Sequence, residues 1–174
     1  MCIRDSCHNI LYFAHEVQEK NFYITDWVEP TIKIAHSIEK QKSDLNLSNH
    51  NFSARLFDFF NPDTNFKLQD DSLVLTFGSM EQIGTNFSAV LDYFMSQKTQ
   101  HFIHVEPFLE LYDMNNEFDQ LAYSYGKKRN YLDGYLSALK NLELEGLIKI
   151  EYQKRTIGRW YHDSHTIVKW KKVA

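Results

Sequence analysis

Apolar residues recur along this chain at two periods that take turns, one helical and one extended. Ile10, Phe13, Ala14 and Val17 repeat at helical spacing, so residues 10–17 predict a short amphipathic helix. Residues 22–25 are aromatic and β-branched and run into Asp26, a strand pattern. Helical spacing returns over 27–42, with Val28, Ile32, Ala35 and Ile38 on one face. Polar residues 43–51 read as a loop and 52–57 as a strand closed by Asp58, before the turn Asn61-Pro62-Asp63. Leu73-Val74-Leu75-Thr76-Phe77 is an apolar run without alternation, which predicts a strand covered on both faces. Gly78 and Gly84 bracket its exit, and Phe87, Val90, Leu91, Phe94 and Met95 then mark a helix. Residues 102–105 form a strand ended by Glu106-Pro107. A long helical region follows to Leu144, with Leu132, Tyr135, Leu136, Leu139 and Leu142 at core spacing and Gly146 as its terminal glycine. The last two strands, near 148–152 and 166–170, have no helix between them and predict an antiparallel hairpin. Alternating helix and strand signals predict an α/β fold with a mainly parallel sheet.

The chain has 174 residues, one domain's worth, with 43% hydrophobic, 15% aromatic and 24% charged residues and a net charge of −4. That is a globular composition. An acidic balance argues against nucleic acid as the main partner. No run approaches the roughly 18 apolar residues that a membrane span requires. Two cysteines, Cys2 and Cys7, are too few for a disulfide framework, so a cytoplasmic setting is expected.

Residues 1–6, Met-Cys-Ile-Arg-Asp-Ser, resemble a translated sequencing adapter: the codons ATG TGT ATA AGA GAC AG end a transposase adapter used in library preparation. The expectation is a scar over residues 1–6 and a partial domain over 7–174, entered part-way through a gene. Only six glycines occur, about half the average usage of roughly 7%.

Acidic residues Asp26 and Asp58 follow the first two strands, the next strand exits into Gly78-Ser79-Met80-Glu81-Gln82-Ile83, and the chain ends in a helix-less hairpin. In that order these features resemble the class I S-adenosylmethionine-dependent methyltransferases, over residues 8–172. The resemblance implies a Rossmann-like sheet of seven strands whose last strand is reversed. Residues 22–25, 52–57, 73–77 and 102–105 would be its strands two to five and the hairpin strands six and seven. Strand one and its glycine-rich loop would precede Cys7. Without that central strand, the fragment is expected to be inactive and poorly stable. Its second and fourth strands would be separated by a gap or paired directly.

In open α/β sheets ligands bind beyond the carboxyl ends of the strands. There Asp26 can accept both hydroxyls of a ribose, although Asp26 with Glu29 also resembles a helix capping box. Asp58 can accept from the adenine amine, or simply start a turn; Phe57 and Phe59 offer apolar surface, and Trp27 can stack on adenine or join the core. By the resemblance, Phe77 and Gly78 lie at the cofactor and Gln82 at the acceptor. Glu81 can serve as a base, or favour a helix start through the helix dipole. His104 and Glu106, two apart on a strand, share a face and with Glu110 can line an acceptor site, hold a metal or act as plain polar groups at a strand end. Arg129 and Tyr131, and His162 and His165 in the hairpin connection, are further acceptor-side candidates. Residues 147–174 hold seven Lys/Arg against two Asp/Glu, which attracts an anionic acceptor or forms a solvated face.

The expected activity is transfer of the sulfonium methyl of S-adenosylmethionine to an oxygen or nitrogen of a small molecule such as a sugar, with no metal. Two rivals remain open: a nicotinamide-dinucleotide enzyme, which an acid after the second strand fits equally well, and a nucleic-acid methyltransferase or binding module using the basic tail.

Overall fold

Two parallel strand pairs anchor the molecule, each closing a β–α–β passage in which the intervening helix returns the chain to the same end of the sheet. The computed structural model describes residues 7–156 and 165–173. The expected scar at 1–6, and Gly158, His162 and Asp163 of the hairpin connection, lie outside these residues. The chain divides into two units, one up to Asp58 and one from Phe59.

The first unit contains α1 (His8–Glu16), β1 (Asn21–Asp26), α2 (Glu29–Gln41) and β2 (Asn51–Leu56). β1 and β2 pair in parallel, from Asn21 opposite Asn51 to Asp26 opposite Leu56. Ile10 and Ala14 of α1 and Ala35 and Ile38 of α2 close on Ile24 and Phe52, with Cys7 and Leu47 completing the core. The helix expected from Trp27 begins at Glu29, because Pro30 fits only its first turn and Val28 is extended.

The second unit contains β3 (Leu73–Phe77), α3 (Ser88–Ser96), β4 (His101–Glu106), α4 (Glu117–Lys128), α5 (Tyr135–Leu144), β5 (Ile148–Arg155) and β6 (Thr166–Lys172), with short 3-10 turns at Met80–Ile83 and Leu109–Leu111. Its sheet runs β3-β4-β6-β5; β3 and β4 are parallel, and β6 is antiparallel to both neighbours. The hairpin expectation is thus met, with the last strand inserted beside β4. Phe102 and Trp170 face each other in register and stack at 4.0 Å, both fully buried.

Two expectations need correction. The single long helix before Leu144 is broken after Lys128, where Asn130 (φ 55°) and Gly134 (φ 86°) turn the chain. Asn130 closes α4 with the bonds Asn130 N–H to the Lys127 carbonyl and Tyr131 N–H to the Gly126 carbonyl. Gly146 closes α5 with the same pair of bonds, to the Glu143 and Leu142 carbonyls. β3 is also covered on one face only: Val74 and Thr76 are buried, whereas Leu73 is 50% exposed and Leu75 and Phe77 are half-buried. Among the described residues, no helix is long and apolar enough to cross a membrane.

Candidate functional site

The strand ends carry the residues singled out from the sequence, and the two units present them differently. In the first unit Asp26, the last residue of β1, is fully buried. Its Oδ1 accepts from the Val28 N–H at 3.1 Å, and its carbonyl accepts from the Phe57 N–H at 2.7 Å. Asp26 therefore lies ahead of the residue that caps α2 and forms a local Asx-type turn; the capping box with Glu29 is not formed. Trp27 is 61% exposed, so it does not belong to the core. Asp58 is exposed beyond β2.

In the second unit the loop that leaves β3 is tied to the end of β4. Gly78 takes φ 55°, a conformation that favours glycine, and donates its N–H to the Val105 carbonyl at 2.9 Å. Glu106, fully buried, accepts from the Ser79 N–H at 3.1 Å, the Ser79 hydroxyl at 3.2 Å and the Glu81 N–H at 3.2 Å. Burial pushes its carboxyl up to about 7, with the nearby Glu81 adding to the rise and the loop N–H groups opposing it. Glu81 is itself buried at 7% exposure, whereas Gln82 beside it is exposed. Phe77 packs against the His165 ring at 5.3 Å.

His104 is fully enclosed. Its Nδ1 lies 2.9 Å from the Thr76 hydroxyl and its Nε2 3.1 Å from the Tyr135 hydroxyl, and Phe94, Trp170 and Tyr135 surround the ring. Burial without a countercharge drops its pKa to about 3, so it is neutral at physiological pH. Glu110 serves the start of α5: its Oε1 accepts from the Leu136 N–H at 3.0 Å and the Ser137 N–H at 3.3 Å, a remote helix cap. His104, Glu106 and Glu110 thus each hold different backbone or side-chain partners. Among the described residues no cluster of His, Cys, Asp or Glu is arranged to hold a metal ion. Phe59 and Tyr131 are buried, Tyr131 against Tyr125, and Arg129 is exposed at the end of α4.

Much of the basic C-terminal charge is used internally. Glu151, the extra residue of a bulge in β5, receives Lys169 and Lys171, both at 2.9 Å, and these hold its carboxyl down to about 2. Arg155 makes a two-pronged pair with Asp119 and lies 4.6 Å from the Tyr112 ring centre. The Lys172 amine donates to the carbonyls of Phe94, Met95 and Gln97 at the end of α3.

From the sequence, Tyr135 is a core position on a helix, and the resemblance places Thr76 and Ser79 in the stretch 76–83 between donor and acceptor, with no partner given for any of them. The one usable signal was Thr76 on the strand preceding His104. Nothing in the spacing shows that Ser79 and Glu106, 27 residues apart, meet.

No protein-family model matches the chain, and no curated protein matches it in sequence. Among solved structures it is similar to the methyltransferase domain of bacterial CtHen1-C, with a TM-score of 0.50 and 13% sequence identity over 95% of each chain. At that identity the likeness speaks for architecture: the chain has a mixed α/β, methyltransferase-like fold.

Proposed function

We propose that this chain is the body of an S-adenosylmethionine-dependent methyltransferase that transfers a methyl group to an oxygen or nitrogen of a small molecule. The observation that carries the reading is the strand order: a parallel pair β2-β1 and a sheet β3-β4-β6-β5 with β6 reversed. Among the described residues β1 and β3 each pair with a strand on one side. The class I order holds one further parallel strand, which this proposal adds. A glycine-rich loop would follow that strand. On this reading residues 1–6 remain a scar and the fragment alone is inactive.

The cofactor supplies an electrophilic sulfonium methyl. The chain's own part is recognition and positioning. Asp26, at the carboxyl end of β1, accepts the ribose hydroxyls. Exposed Trp27 offers a ring face to adenine, Asp58 accepts from its amine and Phe59 adds apolar surface. Phe77 and Gly78 flank the methionine end, where the positive φ of Gly78 brings backbone close. On the acceptor side Glu81 takes the proton as the nucleophile attacks in line. Within this proposal His104 and Glu106 stand behind the loop, bonded to Thr76, Tyr135 and the loop N–H groups. Gln82 and Arg129 are exposed and suit acceptor contact, while Glu110 and Tyr131 shape the wall.

The internal pairing of Arg155, Lys169, Lys171 and Lys172 weighs against a phosphate-binding tail and so against a nucleic-acid acceptor. The hairpin order weighs against a nicotinamide enzyme. Cytoplasmic residence belongs to the same proposal. The test joins the natural upstream sequence to residue 7 and measures binding of S-adenosylmethionine and of NAD. Binding of the first alone supports the reading; binding of NAD alone overturns it.

A further inference from the structure

Helix α4 reverses the usual layout of an amphipathic helix, in which the large apolar residues turn inward. Its inward side is small or charged. Ala122 packs beside Leu109 and Tyr112, and Asp119 is held by Arg155. Gly126 lets the helix lie close to Leu109, whose Cδ2 would stand 2.6 Å from a Cβ at that position. The large apolar residues point away: Phe118 is 82% exposed, Leu121 52% and Tyr125 37%. Their spacing of three and then four residues is that of a seam between two packed helices, about 10 Å long at the α-helical rise.

The two ends of this seam carry opposite charge. Of the four charged residues of α4, Asp119 pairs with Arg155 and Lys127 with Asp133. Glu117 in the first turn and Lys128 in the last are exposed. Eleven residues make about three turns, so Glu117 and Lys128 lie on one side of the helix and flank the apolar stripe.

We infer that α4 is a self-association surface, through which two copies of this chain pair with their helices antiparallel about a two-fold axis beside Leu121. A two-fold interface requires a patch that complements itself. Under this rotation Leu121 meets its own copy, each Phe118 lies opposite the other copy's Tyr125, and each Glu117 comes near the other copy's Lys128. Antiparallel packing also sets the positive end of each helix dipole beside the negative end of the other. Parallel packing would set like charges together at both ends. This self-complementarity of stripe and charge selects a second copy over an unrelated protein as the occupant. The surface stands apart from the methyltransferase reading.

Sedimentation velocity of the 174-residue chain, under reducing conditions so that no cysteine links the copies, tests the inference. A seam this small implies a weak dimer, with Kd on the order of 10–100 µM. A chain that stays monomeric at ten times the upper value leaves the stripe to a different partner and overturns the proposal. Leu121→Glu sets two like charges on the axis and should raise Kd at least tenfold with circular dichroism unchanged. An unchanged Kd in that folded variant places association elsewhere and overturns the surface. Phe118→Ala, at a far more exposed position, reads the same loss if Leu121→Glu does not fold. Charge reversal tests the orientation: Glu117→Lys and Lys128→Glu should each raise Kd about fivefold, and the double variant should return it to the wild-type value. Absence of that rescue overturns the antiparallel pairing.

Discussion

At the end of β1, buried Asp26 sits beside a tryptophan that is 61% exposed, whereas at the end of β4 Glu106, His104 and their partners are all enclosed. The first arrangement leaves the tryptophan ring facing outward. The second spends its polar groups on shaping a loop. Their carboxylates differ in the same sense. Glu39, in the first unit, is held below the usual carboxylate range by Lys42 and the Phe52 N–H, while burial lifts Glu106 to about 7. A carboxylate can therefore be tuned downward at a surface or upward in a core.

The largest expected effect is on the proposed chemistry. In the proposed methyltransferase with its further strand added, Glu81→Gln should lower turnover by roughly 10²–10⁴ and leave donor affinity unchanged, by steady-state kinetics with calorimetry. Equal turnover would place the base outside this loop. Next comes the core that encloses the second arrangement. Trp170→Ala removes the ring stacked on Phe102 and should cost about 3–5 kcal/mol in chemical denaturation. A cost below about 1 kcal/mol would mean that the enclosure is loosely packed. Breaking the part-buried pair of Arg155 with Asp119 by Arg155→Ala should cost about 1–2 kcal/mol, and less in high salt.

The smallest effect separates the two carboxylates by sign. Glu106, whose folded pKa is raised, stabilises the fold fully below its unfolded pKa of about 4.5, and that contribution is lost as pH rises through about 7. Glu39 behaves oppositely: its contribution is present above about 4.5 and lost as pH falls through its lower folded pKa. Denaturation between pH 5 and 7.5 should show a more positive slope of stability with pH in Glu106→Gln than in the wild type, because buried His104 adds stability as pH rises toward 6.5 while Glu106 removes it. Glu39→Gln should leave the slope unchanged in that window.

Most of the architecture was legible because period and punctuation agree. Residues 73–77 were read to the residue, and the hairpin was plain from Ile148, Ile150 and Tyr152 against Lys149 and Glu151. The break at 129–134 was missed because asparagine, not glycine, takes the left-handed turn after α4. One-sided cover of β3 was also missed, since an apolar run records what a strand can bury and not what lies over it. At the strand ends the residue types were visible but their partners were not. Glu106 to Ser79 and Glu110 to Leu136 are long-range bonds, set by strand register and helix placement.

The most direct test is calorimetric titration of S-adenosylmethionine into the protein extended by the proposed strand and glycine-rich loop, and into its Asp26→Ala variant. The account predicts saturable binding weakened by roughly 10–150-fold, the loss of a charge-assisted pair of hydrogen bonds worth about 1.5–3 kcal/mol. No binding by a folded wild-type protein, or equal affinity in the variant, would contradict it.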